Sequence, residues 1–325
     1  MKIAVIGGVE STALLIRKLH QHGFREVRVW AYAPADYSEV SGWSDVFSLA
    51  STLGYSAIKF VKVTESLDAI SEFQPDCLFA VGLSQLIPDA MIRIPRLGCI
   101  GFHPTRLPLG RGRAPIAWIV MEGVPAAATF FKITGGVDDG PIIEQEEINV
   151  LPSDDACSVS TKILAAMSEA SDRLLRAIAQ GVLICADQDH RLATWYGRRT
   201  PDDGCIVWEE DASKILKRIR SATTPHPGAF TFFGDEIIVI WEAEICSDLY
   251  KGVTGRILSI SVEQSFVVQC GFGLIKIVKW SSEKWCPRVG QLLGFFAQVE
   301  LSKLRERCSV LEAKVKQLEC RFLNK

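Results

Sequence analysis

The chain has 325 residues, 48% hydrophobic and 23% charged, a balance that fills a globular core and excludes disorder as the default state. Its length suits two domains and an appendage. With 36 basic against 38 acidic residues the formal charge is −2, so no overall positive field draws in a polyanion, although a local basic patch is compatible with that balance.

The first two hundred residues alternate short apolar runs with amphipathic segments, the pattern of parallel strands joined by crossover helices. Residues 2–6 read as a buried strand, and Gly7 and Gly8 turn it into a helix over about residues 11–22. Further strands are expected at residues 26–32, 57–60, 77–81 and 99–103. A short helix over 67–73 places Leu67, Ile70 and Phe73 on one face, and another helix follows Ala114. Two more strands, at 127–133 and 142–150, precede a long amphipathic helix over 156–180. After the polar stretch 197–204 the pattern changes to five short strands, at 230–233, 237–241, 255–260, 266–269 and 274–279, which suits a small barrel of the OB type. The expected division is a catalytic domain over 1–200, a barrel over 201–295 and a tail over 296–325.

In the tail, Leu301, Leu304, Cys308, Leu311, Val315, Leu318 and Phe322 recur at alternating steps of three and four, the seam of a coiled coil. With Leu301 at an a position, the g residues Arg307 and Lys314 face the e residues Glu312 and Glu319 of a parallel partner. Leucine at every d position and Val315 at an a position favour two strands, so a homodimer is expected. The alternative is a terminal helix laid on its own domain.

Ten cysteines are scattered without a CxxC pair or a histidine at metal-ligand spacing, which predicts no metal site and no disulfide framework. They read as reduced, mostly buried thiols of a cytoplasmic protein. The opening MKIAVIGG reads as a strand and not as a signal peptide, and no stretch approaches the roughly 20 apolar residues that cross a bilayer. The segment IGGVEST lacks GxGxxG spacing, which argues against dinucleotide binding.

The most informative segments are LGCIGFHPTRLPLGRGRAPIAWIV, residues 97–120, and FFKITGGVDDGPII, residues 130–143. Together they resemble the folate-dependent formyltransferase family, which includes methionyl-tRNA formyltransferase and the sugar-nucleotide N-formyltransferases. In that pattern a strand ends in Asn-x-His-Pro-Ser, a loop carries Leu-Pro and Arg-Gly, and a later Leu-Asp-x-Gly loop supplies an aspartate. The matching residues are His103, Pro104, Thr105, Leu107, Pro108, Arg111, Gly112, Val137, Asp138 and Gly140. RRTPDDG and PHPGAF resemble the family's junction and barrel, so the likeness runs to about residue 290 and leaves the tail outside. It implies a Rossmann-like formyltransferase domain with a mainly parallel sheet, an OB-like barrel, and 10-formyltetrahydrofolate as co-substrate.

Formyl transfer to an amine needs a neutral nucleophile, a proton acceptor and stabilisation of an oxyanion. His103, at the carboxyl end of a parallel strand, is the expected general base, with its protonated form as an oxyanion donor. Asp138 is expected to fix the tautomer of His103 and stabilise the imidazolium. One departure stands out: the family's catalytic asparagine is Gly101 here. A main-chain N–H, a water, or Ser84 or Gln85 is expected to substitute for the missing amide donor, whose loss typically costs about 3 kcal/mol.

FAVGLSQLIP resembles the family's folate-binding strand and loop, which assigns Leu83, Ser84, Gln85 and Ile87 to the pterin together with Gly136 and Val137. Ordinary strand-end packing is the alternative for each. Thr105, Arg111, Arg113 and Trp118 are the expected substrate contacts, the two arginines matching phosphate oxygens of a nucleotide. Pairing with surface acids is the alternative for the arginines. Trp195 and Tyr196 are further stacking candidates, with core packing as the alternative for them and for Trp118; Asp139 reads as a solvated carboxylate and His226 as structural. AYAPADYSEVSGWSDVF, residues 31–47, contains no arginine or lysine, unlike the basic insertion of the tRNA-acting members. The expected acceptor is therefore an amino sugar carried on a nucleotide. The alternatives are methionyl-tRNA, a carrier-bound amino acid, or a catalytically impaired folate-binding scaffold.

Overall fold

The structure is a computed structural model. It describes residues 1–37, 40–294 and 297–323, with the backbone alone at 297–300, 303 and 318–323. The chain divides into two compact units. The first comprises Met1–Cys205, Leu216–Ala229 and Ile240–Glu242; the second comprises Ile206–Ile215, Phe230–Val239 and the residues from Ala243 on.

The first unit begins with β1 (Ile3–Gly7), whose five residues are all buried, followed by α1 (Glu10–Gln21), β2 (Val27–Tyr32), α2 (Val46–Thr52) and β3 (Ser56–Phe60). Then come α3 (Leu67–Phe73), β4 (Cys77–Ala80), α4 (Asp89–Ile92), β5 (Cys99–Thr105), the two-residue β6 (Arg111–Gly112) and α5 (Pro115–Glu122). β7 (Ala126–Lys132), β8 (Ile142–Ile148), α6 (Ala156–Ala179) and the two-residue β9 (Trp195–Tyr196) complete it. Seven strands form one sheet in the order β3-β2-β1-β4-β5-β7-β8. The first five run parallel, and β7 and β8 are antiparallel additions at one edge.

Alternation along β1 explains the layering, because successive side chains of a strand point to opposite faces. Ile3 and Val5 join Leu15, Ile16 and Leu19 of α1 and Met167, Ala170 and Leu174 of α6 in one core. Ala4 and Ile6 join Ile70 of α3 and Met91 of α4 in the other. α6 starts at Asp155, whose carboxylate accepts the Ser158 N–H at 2.8 Å, a helix cap. It is tied to α1 by Asp172, which accepts from Lys18 Nζ at 2.7 Å and lies 2.8 Å from His22 Nε2.

α7 (Ala212–Ala222) precedes β10 (Ala229–Phe233), β11 (Glu236–Cys246), β12 (Ile257–Ile260), β13 (Phe266–Gln269) and β14 (Leu274–Ser281), which form a second sheet in the order β10-β11-β14-β13-β12. The pairs β12/β13 and β13/β14 are antiparallel. Residues 290–294 bring the two edges of this sheet together. Gly290 donates to Ile257 O at 2.9 Å and Leu293 to Gly255 O at 2.8 Å, while Gly294 donates to Phe232 O at 2.8 Å. Such closure satisfies strand edges that would otherwise be exposed, as a small barrel does.

α8 (Ala297–Leu323) ends the described chain. Leu301, Leu304, Leu311 and Val315 of its seam are each more than half exposed, and Cys308 is exposed as well. The side chains of Leu318, Glu319 and Phe322 lie outside the described residues. Among the described residues no helix is long and apolar enough to cross a membrane.

Every strand expected in the first 150 residues is present. The elements α2, the four-residue α4, α7 and the β6/β9 ribbon have no counterpart among those expected. α2 is short and rich in Ser and Thr, and α7 is interrupted by basic residues although it buries Ile215 and Ile219. A two-residue ribbon has no periodicity to detect.

Candidate functional site

The candidate site grows from β5, which carries Gly101, His103 and Thr105 on one face by strand alternation. Opposite them in the β5/β7 ladder stand Phe131 and Thr129. His103 is 5% exposed. Its Nε2 lies 2.8 Å from Gly110 O. A carbonyl oxygen can only accept, so Nε2 carries the proton and the neutral ring keeps its lone pair on Nδ1. Nδ1 lies 3.5 Å from Asp138 Oδ2, beyond a good hydrogen bond and within ion-pair range. The tautomer is therefore set by the Gly110 carbonyl, whereas the sequence reading gave that task to Asp138. The carboxylate instead stands beside the basic nitrogen.

Gly110 is itself pinned. Its N–H donates to Thr194 Oγ1 at 2.8 Å, and Thr105 Oγ1 donates to the adjoining Leu109 O at 2.8 Å. Thr129 Oγ1 donates to Thr105 O at 2.7 Å, and Gln145 reaches both Thr129 Oγ1 and Leu107 O. Thr105, an expected substrate contact, is fully buried and anchors this turn.

Asp138 sits in the left-handed region at φ 49°, uncommon for a residue with a Cβ. Its Oδ2 accepts the Gly112 N–H at 2.8 Å. Its main-chain oxygen accepts from Gln188 Nε2 at 2.9 Å, and the same amide donates to Gly140 O at 2.7 Å. Gly112 is required at its position: φ is 107°, and a Cβ there would fall 2.3 Å from Tyr196 O. Asp139 accepts from Thr134 Oγ1 within the same loop.

The other flank of His103 is apolar. A Cβ built on Gly101 would meet Phe131 Cζ at 2.9 Å and Ile133 Cγ1 at 3.0 Å. Phe131 is 4% exposed. The backbone of Gly101 is paired on both sides, with Ala80 and with Phe131. Space for a side chain at position 101 is thus filled by the neighbours' carbon atoms.

The remaining predicted residues divide. Arg111 is 2% exposed, and its guanidinium is engaged by Gln188 Oε1 and His190 Nδ1. Arg113 is exposed and donates to Ser84 O at 3.0 Å, which joins two of the predicted loops. Gln85 accepts from Val63 N–H at 2.8 Å and donates to Val61 O at 2.7 Å, so both ends of its amide hold the segment after β3. Leu83 and Ile87 pack against the core that includes Leu78 and Met91. Gly136 and Val137 are exposed. Trp118 donates to Gly197 O at 3.0 Å, its ring 5.2 Å from Tyr196 and 5.3 Å from the Arg199 guanidinium.

His226 Nδ1 is 3.2 Å from Ser41 Oγ while its Nε2 is buried without a partner; burial, reinforced by the Arg199 charge, lowers its pKa. A cavity of about 40 Å³ lined by Tyr32, Tyr37, Trp43 and Lys59 contains none of the predicted residues. The convergence of an imidazole and a carboxylate makes β5 the better candidate for chemistry.

Gln188, His190 and Thr194 were not foreseen. They lie in the polar stretch ADQDHRLAT, where nothing in a single sequence separates a structural amide from a solvated one.

Residues 1–175 match the family model described as formyl transferase, and residues 198–285 match the one described as formyl transferase, C-terminal domain. Among solved structures, an N-formyltransferase from Helicobacter canadensis in complex with folinic acid and dTDP-3-aminofucose superposes with TM-score 0.66 at 14% identity, over 86% of this chain and 100% of that one. WlaRD, a sugar 3N-formyl transferase determined with dTDP and 5-N-formyl-THF, gives 0.64 at 15% identity over 88% and 98%. HypX from Aquifex aeolicus in complex with tetrahydrofolic acid gives 0.64 at 17% identity, and the chain spans only 44% of it while 87% of this chain is covered. At these identities the likeness is one of fold.

Proposed function

The chain belongs to the formyl transferase family, and from that premise we propose that it moves a formyl group from 10-formyltetrahydrofolate to the primary amine of a nucleotide-linked amino sugar. The observation that carries the reading is the state of His103, with Nε2–H held by Gly110 O and Nδ1 left as a base 3.5 Å from Asp138. The folate supplies an activated formyl carbon. As the amine nitrogen bonds to that carbon, Nδ1 takes the amine's proton and Asp138 stabilises the imidazolium. The imidazolium Nδ1–H then returns the proton to the folate nitrogen as its bond to the formyl carbon breaks. With Gly101 closed off by Phe131 and Ile133, the reading gives that same N–H the task of stabilising the developing oxyanion.

The sugar acceptor is supported by the dTDP-3-aminofucose and dTDP named for two structural neighbours and by the absence of basic residues over 31–47. Exposed Arg113, beside Ser84, is the side chain suited to a nucleotide phosphate. The free cysteines suit the cytoplasm.

The test is incubation with 10-formyltetrahydrofolate and a panel of nucleotide-linked 3- and 4-amino sugars, reading tetrahydrofolate release. Release with one acceptor is expected. Folate binding without release across sugars, methionyl-tRNA and amino acids would support the second reading, a folate-binding scaffold, which the filled slot at Gly101 favours.

A second copy of the chain is the partner proposed for α8. The Arg307/Glu312 and Lys314/Glu319 pairs attract only when two helices run parallel and in register, which also sets the two Cys308 residues in one layer. Mild oxidation should link dimers through Cys308, and truncation before Leu301 should give monomers by light scattering. Dimers that survive truncation, or the absence of a Cys308 link, would contradict the seam.

A further inference from the structure

Arg111 poses a problem that the proposed reaction leaves unsolved. It is 2% exposed, yet among the described residues its hydrogen-bond partners, Gln188 and the accepting Nδ1 of His190, are neutral. Nε and Nη2 donate to Gln188 Oε1 at 3.2 and 2.7 Å, Nη2 also donates to His190 Nδ1 at 3.1 Å, and the Trp195 ring lies 5.6 Å away. His190 must be unprotonated at Nδ1 to accept. Burying a cation away from carboxylates is costly, and an apolar side chain would satisfy packing alone.

The charge has a use in what it does to Gln188. A guanidinium only donates, so its fork fixes Oε1 of the amide toward itself and turns Nε2 the other way. There two groups that can only accept, Asp138 O and Gly140 O, take both N–H bonds at 2.9 and 2.7 Å. Those bonds brace residue 138 in its left-handed conformation, which a residue with a Cβ resists. The next residue of the same strand, Gly112, holds the Asp138 carboxylate directly. The ribbon thus grips Asp138 at both ends, its backbone through Gln188 and its carboxylate through Gly112.

We propose that Arg111 and Gln188 are positioning residues of the reaction: the guanidinium locks the Gln188 amide, and the amide holds Asp138 where its carboxylate meets His103 Nδ1. This deepens the formyl-transfer reading and rests on it for the kinetic consequence. It also replaces the expected role of Arg111 as a phosphate contact.

The test compares Gln188→Met, Asp138→Asn and their double variant in the full chain. The nitrogen-15 signals of the His103 ring, assigned by their loss in His103→Gln, should move in Gln188→Met in the same direction as in Asp138→Asn. kcat should fall severalfold, up to but not beyond the roughly tenfold loss expected of Asp138→Asn, because the amide acts only through that carboxylate, with KM for both substrates near the wild-type value. The double variant should be no slower than Asp138→Asn alone, because both act through one carboxylate. If Gln188→Met fails to fold, Gln188→Glu keeps an acceptor for Arg111 while lacking the N–H pair, and the same loss of kcat is expected. His103 signals that stay at wild-type positions in Gln188→Met, or a double variant that loses the product of the two single effects, would overturn the proposal. A wild-type protein that transfers no formyl group would defeat the reaction, while the ring signals would still decide whether Gln188 governs the His103 environment.

Discussion

The two flanks of His103 are built on opposite principles. On the Gly101 side, carbon atoms of Phe131 and Ile133 stand within 3.0 Å of where a Cβ would be, and the glycine backbone is paired on both edges. On the Asp138 side, the carboxylate, its main-chain oxygen and the adjoining Gly140 carbonyl each accept a defined N–H. Close packing leaves no room for a new polar group without displacement, whereas fixed dipoles need no reorganisation when charge develops beside them. The chemistry of this chain should therefore run along one flank, with His103 serving as both proton acceptor and donor.

The comparison breaks most readily at the imidazole shared by both flanks. His103→Ala should lower the rate of formyl transfer by at least about 100-fold; an unchanged rate in a folded variant removes it as the base. Asp138→Asn should cost less, about tenfold. An orienting carboxylate is worth about 10⁴-fold where it sets the tautomer, and here Gly110 O performs that task. A loss in Asp138→Asn as large as in His103→Ala would place tautomer control with the carboxylate after all.

Gly101→Asn sharpens the contrast from the other side. The added side chain has to push Phe131 and Ile133 aside, so the denaturant midpoint should fall by the equivalent of about 1–3 kcal/mol, with no gain in activity. A faster variant would mean that the apolar flank can host an amide and that the wild-type site lacks one.

The smallest effect is a control outside both flanks. Burial opposes ionisation of Asp172, but hydrogen bonds from Lys18 and His22 outweigh it and hold the carboxyl below its usual value of 3.8. The folded pKa is depressed, so this contribution is complete above pH 3.8 and is lost as pH falls through the folded value. Asp172→Asn should flatten that part of the acid-unfolding curve and leave the activity at neutral pH unchanged. Equal acid sensitivity of variant and wild type would place the loss in other groups.

How far the sequence could be read follows the same division. The parallel strands were legible because each is a short apolar run bounded by turn residues, and His103 because His-Pro follows such a run at the carboxyl edge of the sheet. The loop of Asp138 was legible through its resemblance to the family's Leu-Asp-x-Gly pattern, whereas its left-handed backbone was not. What stayed hidden depends on contacts between distant residues. Gln188 meets Asp138 across 50 positions and Arg111 across 77, and an arginine in a glycine-rich loop reads as a surface phosphate contact until its burial is seen. Gln85, expected to face the pterin, closes its amide on Val61 and Val63. Phe131 gave no sign of filling the slot beside Gly101, because cross-strand register is a property of the folded sheet.

The claim on which all of this depends is the identity of the basic nitrogen of His103. Nitrogen-15 NMR of the histidine rings, recorded on the wild-type protein above the titration of His103, reads it directly. A protonated, pyrrole-like Nε2 with a pyridine-like Nδ1 is the predicted result. A pyrrole-like Nδ1 facing Asp138, with the lone pair turned toward Gly110, would contradict it.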